Sequence, residues 1–324
     1  MISKKRVRKA GEFLAAGSRE QPGYDEALEI VNFWRFVHIE MLREALGVLE
    51  SACGSSYSPI LVGRIKRLDT IIEKLRVHPE HNLDRLGDIS GARLIVQNDD
   101  DARRLSAIIE GFDGMDIKLI HDYIEQPKEN GYRGIHLSYK HDSKKYGLSN
   151  LQTEVQVRSR RQHLWATAVE LFDTVTDIGL KRGRAAPEYV RYFKLASELM
   201  ADSRVNVEGL REELRSLDDK LRVYDTLNAT AGSMYAIDDE AENVCRDNLC
   251  VISANFALQT ITLDAYDGNR ADEAVRRYAE LEEGEGTGVY LLARASSSSD
   301  LRVAYPNYYA NANEFCDWLF KQLS

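Results

Sequence analysis

Hydrophobic and polar positions along this chain recur with two periods, and the switches between them mark out its elements. From Asp25 to about Leu49, the positions Leu28, Val31, Phe36, Ile39, Leu42 and Leu46 recur at helical spacing, with Asp25 as N-cap, predicting a helix that packs on a sheet. In SPILVGRIKRLDTIIEKLRVHP, the positions Leu61, Ile65, Leu68, Ile72 and Leu75 predict a second helix with one narrow core stripe. On such a helix Arg64 and Lys74 lie about 80° apart around the axis and about 15 Å apart along it, and Lys66 falls about 160° from Arg64. Arg64 and Lys66 then face one ligand only if the helix starts later or is distorted. Ala92 to Gln97 reads as a short strand, followed by a helix capped by Asp99 or Asp100 and running to about Ile109. MDIKLIHDYI is a further strand and QPKENGYRG a turn-rich loop.

After that loop the period of two takes over. GIHLSYK sets Ile135, Leu137 and Tyr139 against His136 and Ser138, and LQTEVQVR sets Val155 and Val157 against Glu154, Gln156 and Arg158. RRQHLWATAVELFDTVTDIG returns to helical spacing through Leu164, Ala168, Leu171, Val175 and Ile178. Pro187 marks a boundary, beyond which the pattern reads as helices over 187–203, 206–229, 238–266 and 270–283. A strand at GVYLLARA, a loop at SSSS and a closing helix at NANEFCDWLFKQL follow. The stretch from Asn255 to Glu283 resembles paired helices joined by a DGN turn.

At 324 residues, with 44% hydrophobic and 29% charged positions, the chain has the composition of a globular protein with room for two domains. No run of about 18 apolar residues exists and no apolar signal core follows the basic start, so no membrane segment and a cytoplasmic location are expected. Cys53, Cys245, Cys250 and Cys316 are scattered without C-x2-C pairing, which argues against a zinc site and a disulfide framework. The net charge of −9 is uneven: from residue 201 onward 12 Lys and Arg stand against 23 Asp and Glu. The basic chemistry therefore lies in front, and the acidic rear reads as a solvated or self-docking surface rather than a nucleic-acid platform.

That front half carries the candidate chemistry. A Gly-bracketed loop with Lys128, Tyr132, Arg133 and His136 precedes the strand whose polar face is Glu154, Gln156 and Arg158, a combination suited to an anionic, ring-bearing substrate and a metal. Asp88 stands at a strand mouth, where a carboxylate is either a turn residue or a metal ligand. Arg158, Arg160 and Arg161 sit where a helix begins and its dipole disfavours them, so an anion there would resolve the conflict. Lys4, Lys5, Arg6, Arg8 and Lys9 form a basic arm, either solvated or in contact with phosphates.

The order of these signals carries a resemblance. Arg64, Lys66, Thr70, Ile71 and Lys74 in R-x-K-x3-[ST]-I-x2-K come first, then D-I-x-G-x-R from Asp88 to Arg93, then Y-I-x2-P-K-x-x-G-Y-x-x-x-H from Tyr123 to His136. E-[IV]-Q-[IV]-R follows, with Gln162, His163, Trp165 and Ala166. Together they resemble the RelA/SpoT alarmone synthetase domain over roughly residues 25–180. Thr70 stands where Ser is commoner, and Gly134-Ile135 where Ser-Leu is commoner.

The resemblance implies an α+β, nucleotidyltransferase-like fold with a mixed β-sheet flanked by helices. A basic arm over 1–24 would precede the synthetase domain at 25–184, and a mostly helical acidic domain at 185–324 would follow. It implies transfer of the β,γ-pyrophosphate of ATP to the ribose 3'-hydroxyl of GDP or GTP. Arg64 and Arg93 would sandwich the adenine, Lys66 and Lys74 would hold phosphates, and Asp88 and Glu154 would bind Mg²⁺. Glu154 would additionally accept the hydroxyl proton. Tyr132 would stack on the acceptor base, with Lys128 and His136 near its phosphates and Gln156 and Arg158 lining the pocket floor.

The roughly 50 residues ahead of the motifs hold only His38, too little for an HD-type hydrolase, and His121-Asp122 and His141-Asp142 read as coincidence. Small members of the family divide between alarmone makers and toxic synthetases. Transfer to an adenosine nucleotide or to the 3'-CCA end of tRNA is therefore the alternative, encouraged by Lys181, Arg182 and Arg184. A non-catalytic nucleotide sensor is a third reading. Trp34, Arg35, His38 and the YPNY tetrad from Tyr305 to Tyr308 resemble a subgroup with a less settled acceptor. The rear domain is open to a role in covering the site, in forming a homo-oligomer or in docking an antitoxin or other trigger.

Overall fold

The computed structural model describes all residues except 1, 55–56, 181, 202–206, 232–234, 237–247 and 285–287. In chain order the elements are α1 (Lys4–Ala16), α2 (Tyr24–Cys53), β1 (Ile60–Ile65), α3 (Leu68–Val77), β2 (Ser90–Val96), α4 (Asp99–Glu110), β3 (Asp116–Asp122), β4 (Ile135–Ser143), β5 (Leu148–Ser159) and α5 (Arg160–Thr176). They continue with α6 (Pro187–Met200), α7 (Val207–Leu221), α8 (Val223–Thr230), β6 (Tyr235–Ala236), β7 (Leu249–Asn255), β8 (Thr260–Tyr266), α9 (Ala271–Glu283), β9 (Val289–Ala295), α10 (Ser298–Ala304) and α11 (Asn313–Leu323). Among the described residues nine strands form one mixed sheet in the order β3-β4-β5-β2-β1-β9-β7-β8-β6. β2 and β5 run parallel, as do β6 and β8, and the other pairings are antiparallel. The expected mixed sheet flanked by helices is what the chain adopts.

The alternation of β4 and β5 sends Ile135, Leu137, Tyr139, Val155 and Val157 to one face. There they meet Ala45, Leu49 and Ala52 of α2 and Leu105 and Ile109 of α4 in one apolar core. Gly63 of β1 lets α2 lie close to the sheet, since a Cβ there would stand 2.8 Å from Leu42 Cδ1. The opposite face of these strands is polar and carries the site.

Several elements depart from the expected ones. The single helix expected over 61–75 is strand β1 followed by α3, so the helix does start later. Ile65 and Leu61 belong to a strand whose faces are both covered, and their spacing mimicked a helical stripe. The helix expected over 238–266 is β7 and β8 from residue 249 onward, and residues 238–247 of that expectation lie outside the described residues. The paired-helix reading fails with it: the DGN turn joins a strand to α9. The helix expected over 206–229 breaks at Arg222, whose φ is +54°. α2 is capped by Gly23, and Asn98 rather than Asp99 or Asp100 caps α4.

The basic N-terminal arm is helix α1, with Val7, Ala10 and Leu14 buried against α2 and α3. Its Arg8 pairs with Asp84 through two hydrogen bonds of 3.0 and 3.1 Å, and Lys4 donates to the Ser149 carbonyl. Cys53, Cys250 and Cys316 are buried, and Cys245 lies outside the described residues. Among the described residues no helix is long and apolar enough to cross a membrane.

The expected boundary at 184/185 falls in the connector between α5 and α6, and the sheet continues across it. β9 hydrogen-bonds β1 in the register Val62 with Ala295 and Arg64 with Ala293. On the polar side of the sheet, α10 and the single-turn helix Pro306–Tyr309 bury Leu301, Ala304, Tyr305 and Tyr308 against β1, β7 and β9.

Candidate active site

Sheet register brings residues far apart in sequence into rows. Arg64 pairs with Gly91, Gly91 with Glu154 and Glu154 with Ser138; one step along, Arg93 pairs with Gln156 and Gln156 with His136. Gly91 puts no side chain between Arg64 and Glu154. The cleft above these rows is lined by Arg64, Lys66, Asp88, Arg93, Glu154 and Gln156 together with Tyr305.

At one end of the cleft Asp88 is clasped by two ammonium groups. Lys66, pinned by its N–H to the Ile89 carbonyl, reaches Oδ2 at 2.5 Å, and Lys74 from the last turn of α3 reaches the same oxygen at 2.8 Å. Burial works to raise the Asp88 pKa, but the two lysines hold it below the ordinary carboxylate range. Burial likewise pulls Lys66 down. Asp88 Oδ1 is buried with no hydrogen-bond partner. An orphaned carboxylate oxygen beside two ammonium groups is a set of side chains that could hold a divalent cation next to a phosphate chain.

At the other end two hydrogen-bond relays run from Arg158 to Glu154. Arg158 Nε donates to Tyr132 Oη at 3.2 Å, Tyr132 Oη meets His136 Nε2 at 2.5 Å, and His136 Nδ1 meets Glu154 Oε1 at 3.0 Å. In parallel, Arg158 Nη2 donates to Gln156 Oε1 at 2.8 Å and Gln156 Nε2 donates to Glu154 Oε2 at 2.6 Å. Burial pushes Glu154 up, yet these donors and the Arg64 charge hold it far below its usual value. Burial pulls His136 down, so the ring is neutral. With an ionised acceptor on Nδ1, that nitrogen carries the proton and Nε2 accepts from Tyr132.

The loop between β3 and β4 completes the site. Gly131 has φ +91°, and a Cβ there would stand 2.8 Å from the Lys194 Cα of α6, so glycine lets the loop lie against that helix. Lys128 Nζ stands 4.6 Å from the Tyr123 ring centroid and 5.3 Å from that of Tyr132, and the Arg158 guanidinium stands 5.1 Å from Tyr132. Tyr132 is therefore a cation-flanked ring, and a stacking base must exchange with one of these cations.

All eleven side chains expected at the site, Asp88, Glu154, Arg64, Lys66, Lys74, Arg93, Lys128, Tyr132, His136, Gln156 and Arg158, converge on this one region. Arg93 differs from expectation in its surroundings. It is 4% exposed, its Nη1 donates to the Ala304 carbonyl at 2.8 Å, and its guanidinium lies 5.3 Å from the Tyr305 ring centroid. Burial, with the charge of Arg158, pulls it down to about 10. A purine stacking on Arg93 must take the place of the Tyr305 ring. The YPNY tetrad marks Tyr305 in the sequence, but no spacing rule ties it to a strand residue so distant in the chain. Tyr123, whose ring is edge-on to His136 at 5.2 Å, was also missed as a site residue.

The conflict expected at the start of α5 is met within the chain. Arg160 donates to Glu314 at 2.6 Å and Arg161 to the Met200 carbonyl at 3.4 Å. Arg182 pairs with Glu73 at 3.4 Å and Asp177 at 3.6 Å, and Lys181 of the same patch lies outside the described residues.

Residues 63–171, which run from the second half of β1 through most of α5, match the family described as a region found in RelA / SpoT proteins. Asp88 and Glu154 both lie inside the matched residues. Over 116 residues the chain is 31% identical to GTP pyrophosphokinase YjbM of Bacillus subtilis, covering 34% of this chain and 55% of that protein. It is also 31% identical over 129 residues to the probable chloroplastic GTP diphosphokinase RSH2 of Arabidopsis thaliana, covering 39% of this chain and 17% of that one. The chain thus spans about half of the first relative and a smaller part of the second. Among solved structures, small alarmone synthetase 1 of Bacillus subtilis bound to pppGpp aligns at 24% identity with a TM-score of 0.41, covering 57% of this chain and 92% of that one.

Proposed function

We propose that this chain is an ATP-dependent 3'-pyrophosphokinase that moves the β,γ-pyrophosphate of ATP to the 3'-hydroxyl of GDP or GTP. The observation that carries the reading is the pairing, across one cleft, of a lysine-clasped Asp88 with an orphaned oxygen and a Glu154 held ionised by two relays. Transfer of this kind needs positioning and charge neutralisation and no covalent intermediate. Lys66 and Lys74 neutralise the transferred phosphates, and entry of that chain frees Asp88 Oδ2 from them. Tyr132 stacks the acceptor base, with Lys128 and His136 beside its phosphates and Gln156 and Arg158 holding the floor. Arg64, which lines the cleft, takes the adenine, and Arg93 joins it where the base replaces Tyr305.

Asp88 and Glu154 fit Mg²⁺, which takes one or two carboxylates plus substrate phosphates and waters. When bound, the ion supplies a bridge that neutralises charge on the transferred group. Glu154 serves as a charge and orienting acceptor for the 3'-hydroxyl more than as a strong base, because its pKa is held so low.

The test uses purified chain, Mg²⁺, γ-labelled ATP and either GDP or GTP, or tRNA. Label at the 3' position of the guanosine nucleotide is the expected result; label on tRNA alone overturns the acceptor assignment. Glu154→Gln is expected to lower kcat on the order of 100- to 1000-fold while leaving nucleotide affinity within a few fold. An intact pocket without turnover in the unsubstituted chain would mark a nucleotide sensor instead.

A further inference from the structure

Strand β2 carries a glycine that neither its backbone nor its packing requires. Gly91 does not adopt the left-handed conformation, so any residue could take its φ. A Cβ built on it would have, chain neighbours aside and among the described residues, one heavy atom within 4 Å, the Glu154 carbonyl oxygen at 3.9 Å. Gly63 of β1 is the contrast, since a Cβ there would press on Leu42 of α2. Glycine inside a strand costs chain entropy and packs nothing, and it stands where a ligand or another backbone comes close. At Gly91 no other backbone does, which leaves a ligand.

Its position says which one. Gly91 pairs with Arg64 on one side and Glu154 on the other, and opposed residues share a face, so the side chain is missing from the floor of the substrate cleft. Gly91 is itself partly exposed in the lining there. With β1 and β5 about 10 Å apart across β2, a bare strip separates the Arg64 and Glu154 side chains. Asp88, with its two lysines, stands three residues before Gly91 and Arg93 stands two after it. A ligand whose ring meets Arg64 and Arg93 and whose anionic end meets Lys66 and Lys74 must cross that strip. The N–H and C=O of Gly91 lie in the plane of the sheet, so the strip offers room and contact rather than hydrogen bonds.

We propose that Gly91 is a specificity-determining residue of the donor site: the sugar and phosphate chain of a nucleoside triphosphate lie directly on the β2 backbone there, and a side chain at this position excludes them. This rests on the donor assignment made above and deepens it. The acceptor, held from β5 and from the loop ahead of β4, does not pass over Gly91.

Calorimetric titration of the full chain with α,β-methylene-ATP and Mg²⁺, and separately with GDP, is the test. Gly91→Ala is expected to weaken the ATP analogue about two- to fivefold and Gly91→Val at least about twentyfold, with GDP within about threefold in both. Gly91→Thr has the shape of valine and is expected to match it, because exclusion is by size. Urea midpoints should hold or rise, since alanine and β-branched residues suit a strand better than glycine. Unchanged affinity for the analogue in Gly91→Val, loss of both nucleotides together, or a midpoint that falls in Gly91→Ala overturns the proposal. Label transfer separates this from the transferase reading. An unsubstituted chain that transfers label while Gly91→Val keeps its full affinity for the analogue sinks the role of Gly91 alone. An unsubstituted chain that transfers none, while Gly91→Val loses the analogue and keeps GDP, upholds Gly91 and sinks only the transfer.

Discussion

Glu154 owes its charge to neighbours that themselves begin at Arg158, so its state can be changed without touching it. Each oxygen accepts from one relay, Oε1 from His136 and Oε2 from Gln156. Removing both donors by His136→Ala with Gln156→Ala returns Glu154 toward the ordinary carboxylate range. The pH profile of kcat/KM should then gain an acid limb at least about one pH unit above that of the unsubstituted chain. A limb that stays in place would mean that Arg64 alone keeps Glu154 ionised. Gly131 makes a different test. Alanine there must adopt φ +91° and press on the Lys194 backbone, costing on the order of 1 to 3 kcal/mol. Because Tyr132 is the next residue, the stability loss in urea should be accompanied by a raised KM for the acceptor.

At the scale of elements, strands with one polar face were legible, because Glu154, Gln156 and Arg158 alternate with Val155 and Val157 and the polar set is what the site needs. β1 was not, because it is covered on both faces by α2 and by the 298–309 segment and so shows no alternation to tell it from a helix. β7 was hidden for a similar reason, with Cys250, Val251 and Ile252 buried in succession.

A second link across the chain was also invisible in sequence. Glu282 of α9 accepts from the Leu68 N–H at the start of α3 at 2.9 Å and lies 2.8 Å from Arg35 Nη1, whose guanidinium stands 4.6 Å from the Tyr278 ring centroid. Arg35 and Glu282 are both almost fully buried, so Glu282→Ala leaves an unpaired buried guanidinium and an uncapped helix, costing about 3 to 5 kcal/mol in urea unfolding. Replacing both, as Arg35→Met with Glu282→Leu, should recover most of that loss. If the double change is as damaging as the single one, packing and not charge holds α9 to α3.

The whole molecule is tied together by one sheet, so its acid stability should reflect buried groups in several cores at once. His38 in α2, His141 in β4 and His163 in α5 are each buried, and burial lowers the first two to about 4 and the third to about 3. An unfolded chain binds protons on these rings below about pH 6.5, while the folded chain refuses them down to about pH 4. Between those values the unfolded state holds more protons, so stability falls as pH falls. By pH 5 each ring costs about 2 kcal/mol relative to neutral pH. Asp88 and Glu154 do not contribute in this window, since their folded pKa values lie below the ordinary ones and their stabilisation is lost only below about pH 4. Urea midpoints measured from pH 7.5 to 5 should therefore decline steadily, and His141→Gln, which keeps a polar partner for the Thr153 hydroxyl, should flatten the slope by about one proton. A slope unchanged by that substitution would place the proton uptake elsewhere. His38 and His163 would then be the groups to examine.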